Sequence, residues 1–207
     1  MSGISKKRYR RPAEKGRWYF GRGGLPKPIT DELGLAFSEW GFVEQQMDAL
    51  LSVAVGKPLI GKILRENVRT SKARLAILSD LVKASAPADM QADVLGLLGA
   101  FVPLAAERGL FAHGIWGTHE AHPDEAILLI DDSFIQISHP DLDQLRASPE
   151  PLLDRVRENT AVVSVRDVVR FRQALKRLRE RLTTMVFEMQ LRQRTEAARA
   201  QLGRGAS

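Results

Sequence analysis

Apolar residues recur at steps of three and four through long stretches of this chain, and that period constrains the fold more than any other feature. Between Thr30 and Val55, Phe37, Trp40, Met47, Leu51 and Ala54 fall on one face, the spacing of a helix with one buried side. Thr30 or Asp31 is its candidate N-cap. Gly56-Lys57-Pro58 interrupts the pattern, and a second helix is expected from Pro58 to Ala84, with Ile60, Ile63, Leu64, Val68, Leu75, Leu78 and Val82 inward. Its middle is polar, because Asn67, Ser71 and Arg74 stand where the period asks for apolar residues. A third helix is expected over Asp89 to Phe111, carrying Val94, Leu97, Leu98, Phe101, Leu104 and Ala105, with Pro103 inside it as a source of bending. The last runs from Val165 to Ala198, with Ser164 as N-cap and Val168, Phe171, Leu175, Leu178, Leu182, Met185, Val186 and Met189 inside. The period therefore predicts a mainly α fold, a four- to five-helix bundle.

Some segments break the helical rhythm. Ala126–Ile130 and Phe134–Ser138 flank Asp131-Asp132-Ser133 and read as a β-hairpin. Residues 118–140 are thus expected to be a polar loop, holding His119, His122 and Pro123, followed by that hairpin as an insertion. A short helix is expected around Pro151 to Glu158. Residues 1–29 mix Lys and Arg with Gly and Pro, a composition unable to pack a core alone. They read as a disordered basic arm, of which residues 1–28 are removable without loss of the fold, with Trp18-Tyr19-Phe20 either stacking on bases or, as the favoured reading, anchoring the arm to the domain. Residues 30–200 form the helical domain and 201–207 a disordered tail.

The net charge of +6 is spread unevenly. Residues 1–28 hold nine Lys or Arg and one Glu, and residues 166–207 hold eleven Lys or Arg against four acids. The stretch between them is acidic, with eleven basic residues against twenty. Lys6, Lys7, Arg8, Arg10 and Arg11 make a block that attracts polyanions, RNA foremost. The absence of cysteine excludes disulfides, thiolate nucleophiles and cysteine-ligated zinc. No secretory h-region and no uncharged run long enough to span a bilayer are visible, so a cytoplasmic protein without membrane contact is expected.

Little catalytic chemistry is available. His119 and His122 are three apart, where a metalloprotease helix places them four apart, so no metal site is expected. No phosphate-binding glycine loop, dinucleotide fingerprint or serine elbow occurs, and no cofactor is expected. What remains is the segment Glu107-Arg108-Gly109-Leu110-Phe111-Ala112-His113-Gly114-Ile115-Trp116. Arginine can hold a phosphodiester and histidine can move a proton near neutral pH. The same residues also make a helix stop, because cations in the last turn complement the helix dipole and glycine follows the end. Five residues turn about 500° along a helix, which leaves Arg108 and His113 about 140° apart. They cooperate within one chain only if the helix end distorts, or between two copies if a two-fold axis brings both to one cleft. Glu44 lies on the first apolar stripe, where a carboxylate needs a partner, Arg108, Arg74 and His113 being the candidates.

A helical bundle whose third main helix ends in Arg, four residues, His and then Gly-x-Trp resembles the HEPN superfamily, over roughly residues 30–200. The resemblance implies a dimeric, metal-independent ribonuclease of the kind often found among toxins and defence proteins. It assigns the motif roles to Arg108 and His113, with Glu44 at a place where such proteins often carry an acid and Trp116 in support. The implied reaction is attack of the RNA 2′-hydroxyl on its adjacent phosphorus, with His113 as general base or acid and Arg108 on the phosphoryl oxygens. The motif departs from the family at Gly109, where a polar residue is usual. That departure favours the alternative, a non-catalytic binding or regulatory bundle in which Arg108 and His113 are structural.

Overall fold

The computed structural model describes residues 9–12, 17–20, 24–57, 59–68, 71–130, 154 and 156–204. It is mainly helical, with a small antiparallel sheet. The described helices are α1 (Lys27–Val55), α2 (Ile60–Asn67), α3 (Ser71–Ser85), α4 (Ala88–His113) and α5 (Val165–Arg204). The strands are β1 (Trp18–Phe20), β2 (Ile115–His119), β3 (His122–Leu129) and β4 (Thr160–Val163). The chain divides into two compact units, Met1–Phe37 with Ala105–Arg172, and Ser38–Leu104 with Gln173–Ser207.

Helix ends follow local chemistry more closely than the apolar period suggests. α1 begins three residues before the expected cap, because the Pro26 carbonyl accepts the N–H groups of Ile29 (2.9 Å) and Thr30 (3.1 Å). Pro28 sits in that first turn, where its missing N–H removes no hydrogen bond. Thr30 is therefore inside the helix and does not cap it. At the other end Gly56 adopts φ +65°. Its N–H donates to Val53 O and that of Lys57 to Ser52 O, both at 3.1 Å, the paired bonds of a Schellman stop. The expected second helix is two, α2 and α3, parted at Val68, whose backbone is extended. The break falls beside Asn67 and Ser71, the polar positions that could not be buried on a continuous helix. Ser164 does cap α5: its hydroxyl accepts from the Asp167 N–H (3.4 Å), and the Asp167 carboxylate accepts from the Ser164 N–H (3.0 Å), a reciprocal capping box. α5 continues to Arg204, through four residues expected to be tail.

In the second unit the α1 stripe Trp40, Val43, Met47, Leu50, Leu51 and Ala54 is buried, as are Val94, Leu97 and Leu98 of α4 and Leu175, Leu178, Leu182, Val186 and Met189 of α5. Trp40 stacks against Phe101, ring centroids 4.9 Å apart. Arg179 pairs with Glu39 at 2.9 Å.

The first unit is built on the sheet, in the order β1-β2-β3-β4, every pair antiparallel. β2 and β3 join through Glu120-Ala121 with Trp116 opposite Leu128 and Gly117 opposite Ile127. His119, His122 and Pro123, expected in a loop, therefore belong to strands. Ala126–Leu129 is a strand as expected, buried throughout, but its described partners are β2 and β4. The other expected hairpin arm, Phe134–Ser138, lies outside the described residues. Strand β4 was hidden in the sequence because Thr160-Ala161-Val162-Val163 is too short an apolar run for its period to be read.

The N-terminal segment is not a free arm where it is described. Tyr9 and Pro12 are buried, the Val162 N–H of β4 donates to Arg10 O at 2.8 Å, and Trp18–Phe20 pairs with β2. The segment thus supplies the edge strand beside β2 and bonds through Arg10 to β4 at the opposite edge. Edge strands offer unpaired N–H and C=O groups, and this chain covers them with its own N-terminal residues. Lys6, Lys7 and Arg8 lie outside the described residues.

One helix qualifies the expectation about membranes. α4 is long and apolar enough, by length and composition alone, to cross a bilayer.

Candidate functional site

The last two turns of α4 hold the residues singled out in the sequence, and the first unit packs around them. Phe111 is buried at the centre. Its ring meets Phe171 edge-on at 5.2 Å, Trp116 at 5.7 Å and Tyr9 at 6.4 Å. The turn from α4 into β2 needs glycine at 114: a Cβ there would lie 2.5 Å from Leu128 Cδ1 and 2.6 Å from Leu110 O. Gly117 has the same constraint, since a Cβ would overlap the Tyr19 carbonyl of β1. Trp116 sits in β2 and reaches back, its indole N–H donating to Phe111 O at 2.9 Å. That carbonyl is one of the four that a helix leaves unpaired at its C-terminus. Trp116 is accordingly a capping residue, and this contact explains the Gly-x-Trp spacing without reference to catalysis.

Arg108 is half-buried, with its guanidinium carbon 6.0 Å from the Phe37 ring centroid, within the range of a cation–π contact. Its buried Nε has no hydrogen-bond partner among the described residues. His113, at the helix end, is exposed. No hydrogen bond joins the two side chains, as expected for positions about 140° apart on a regular helix. Glu44 is half-buried in α1, in the other unit, and makes no hydrogen bond or ion pair among the described residues. The side chain of Arg74 lies outside them.

Sequence reasoning missed Glu107. It is 1% exposed, and the Tyr9 hydroxyl donates to its Oε1. The signal was present: Glu107 stands three after Leu104 and four before Phe111, so it belongs to the buried stripe. Arg10, expected to bind polyanions, forms an ion pair with Glu125, which also lies 3.2 Å from His122 Nδ1. Arg11 is exposed. Glu32 and Arg172 form a further ion pair in this unit at 2.8 Å.

At the β2–β3 turn, His119 is buried and its Nδ1 accepts the Ala121 N–H at 3.0 Å. A ring nitrogen that accepts cannot also carry a proton, so this bond requires neutral imidazole. Burial pushes the His119 pKa below its ordinary value. The His122 ring, 5.2 Å away, adds to the shift and Glu120 opposes it. Among the described residues no three His, Asp or Glu groups converge as metal ligands would.

Comparison with known proteins adds nothing to this geometry: no family model, no curated protein and no solved structure matches the chain.

Proposed function

We propose that the end of α4 is a metal-independent ribonuclease site of the HEPN type, acting in a toxin or defence role in the cytoplasm. The observation that carries the reading is a half-buried Arg108 whose Nε has no hydrogen-bond partner among the described residues, five residues before an exposed His113 on one helix end. Arg108 would hold phosphoryl oxygens with the donors it does not use internally, and His113 would exchange protons with the 2′-hydroxyl or the leaving oxygen. Their divergence on the helix favours a homodimer in which each cleft takes one group from each copy. Lys6, Lys7 and Arg8 directly precede Tyr9, which is bonded to the residue beside Arg108, so the basic run is joined in sequence to the site it would serve.

A specific observation favours the second reading, a non-catalytic binding or regulatory domain. Arg108 already lies over Phe37, and Trp116 is accounted for as a cap. The readings separate on one experiment: incubation of the purified chain with RNA in EDTA. The ribonuclease reading expects cleavage leaving a 2′,3′-cyclic phosphate or its hydrolysis product. That cleavage is abolished in His113→Ala and Arg108→Ala, and mostly lost in Arg108→Lys, whose point charge lacks the guanidinium fork. No cleavage of structured or unstructured RNA by a folded wild-type preparation selects the binding reading.

A further inference from the structure

The outer face of α5 in the second unit carries an apolar stripe that the described residues leave exposed. Leu175, Leu178, Leu182, Val186 and Met189 define the inner side of this helix. At about 100° per residue, Phe187, Leu191, Ala198 and Leu202 cluster within about 60° of one another, on the side opposite the core. Phe187 is 64% exposed, Leu191 56% and Leu202 77%. Of the described side chains from Gln190 to Leu202, only Arg192 is not exposed. A helical segment of about a dozen residues with so little packing is marginal in water. Three large apolar residues aligned on its outer face mark a contact surface.

We propose that this face pairs with the same face of a second copy of the chain, antiparallel, about a two-fold axis between Arg194 and Thr195. The spacing is self-complementary about that point. It sets Phe187 against the partner's Leu202 and Leu191 against the partner's Ala198, so a large side chain meets a small one at the inner positions. The charges agree with the apolar pattern. Glu188 and Arg199 are exposed on one flank of the stripe, and neither forms an ion pair among the described residues. Equivalent flanks face each other in an antiparallel helix pair, so Glu188 of each copy comes opposite the partner's Arg199. A parallel arrangement would instead turn this flank toward the partner's opposite flank, so Glu188 would not meet Arg199. Arg194, near the axis, lines a groove with Ser52, Val53 and Gly56 at the C-terminus of α1, whose negative dipole end attracts a cation.

The pairing does not depend on the nuclease reading, because it is read from mass and cross-linking. Sedimentation equilibrium of the full chain is expected to show a monomer–dimer equilibrium at micromolar concentrations. Leu191→Glu is expected to weaken the dimer at least about tenfold without changing helix content, as for a central interface anchor. Glu188→Arg should weaken it too, and Glu188→Arg combined with Arg199→Glu should restore it. The absence of cysteine makes orientation testable: a mixture of Leu191→Cys and Ala198→Cys chains should cross-link with a short bismaleimide faster than either chain alone. A full chain that stays monomeric, or a dimer undiminished by Leu191→Glu, overturns the proposal. Preferential cross-linking of Leu191→Cys to itself overturns the antiparallel arrangement.

Discussion

Replacing Tyr9 by Phe removes one oxygen from a site where the rest of the ring is kept. The phenol is buried and donates to Glu107, itself almost wholly excluded from solvent. The Tyr9–Phe111 edge contact survives the substitution, so the loss isolates the hydrogen bond. A hydrogen bond to a charged group contributes about 1.5–3 kcal/mol, and leaving a buried carboxylate short of a donor puts the cost within that range. For a chain of this size, about 2 kcal/mol lowers Tm by about 4–8 °C. Thermal unfolding followed by circular dichroism reads this directly. Truncation gives a second reading: removing residues 1–8 should leave Tm near the full-length value, whereas removing 1–12 should cost at least as much as Tyr9→Phe. A Tyr9→Phe variant melting within about 1 °C of wild type would refute the reasoning, since that is less than the smallest shift expected from the bond.

Three further outcomes are expected. His119 has its folded pKa held below the ordinary value of about 6.5, so the unfolded chain takes up its proton first; stability should be full above that pH and fall as the pH drops below it. His119→Asn, whose amide oxygen can still accept from Ala121, should flatten the decline of Tm between about pH 7 and pH 5, and an unchanged slope would count against this origin. Gly114→Ala forces a methyl against Leu128 and the Leu110 carbonyl and should cost about 1–3 kcal/mol in urea unfolding, while the same change at Gly109, inside α4 with nothing within 4 Å, should stabilise by about 0.5–1 kcal/mol. Ser164→Ala breaks the α5 capping box and should cost about 1 kcal/mol by the same assay.

The helical character was legible because buried stripes repeat on a helical period, and the stripes read on the first and last helices are largely buried in α1 and α5. The sheet was only partly legible. Ala126–Leu129 is continuous and apolar, so it announced itself, but β1 and β4 are three and four residues long. Pairing at that length is decided by which edge is free in three dimensions, information that no local window contains. The N-terminal segment was misread for a related reason. Its composition is that of a disordered tail, yet one buried tyrosine and two stretches of backbone bonding fix it in place. Composition reports what a segment can do alone and is silent about a groove prepared for it elsewhere.

The candidate site shows where residue patterns stop discriminating. Arg, four residues, His, Gly-x-Trp is a pattern that a helix terminus produces for its own reasons. Gly114 is required by the approach of Leu128, and Trp116 by an unpaired carbonyl. Both would be present whether or not the site reacts with anything. Arg108 differs from them, because the cap does not need its position: it lies five residues before the helix end, and an apolar residue there would stack on Phe37 as well. Half-burial of Arg108, with an Nε that has no hydrogen-bond partner among the described residues, carries a desolvation cost set against its contact with Phe37. Arg108→Met therefore distinguishes cost from function. If the arginine is structural, the substitution destabilises the chain; if it is kept for an anionic ligand, the chain melts at the same temperature or higher and loses affinity for RNA. A lowered Tm with unchanged RNA binding would assign Arg108 to the fold and remove the main support for the ribonuclease reading.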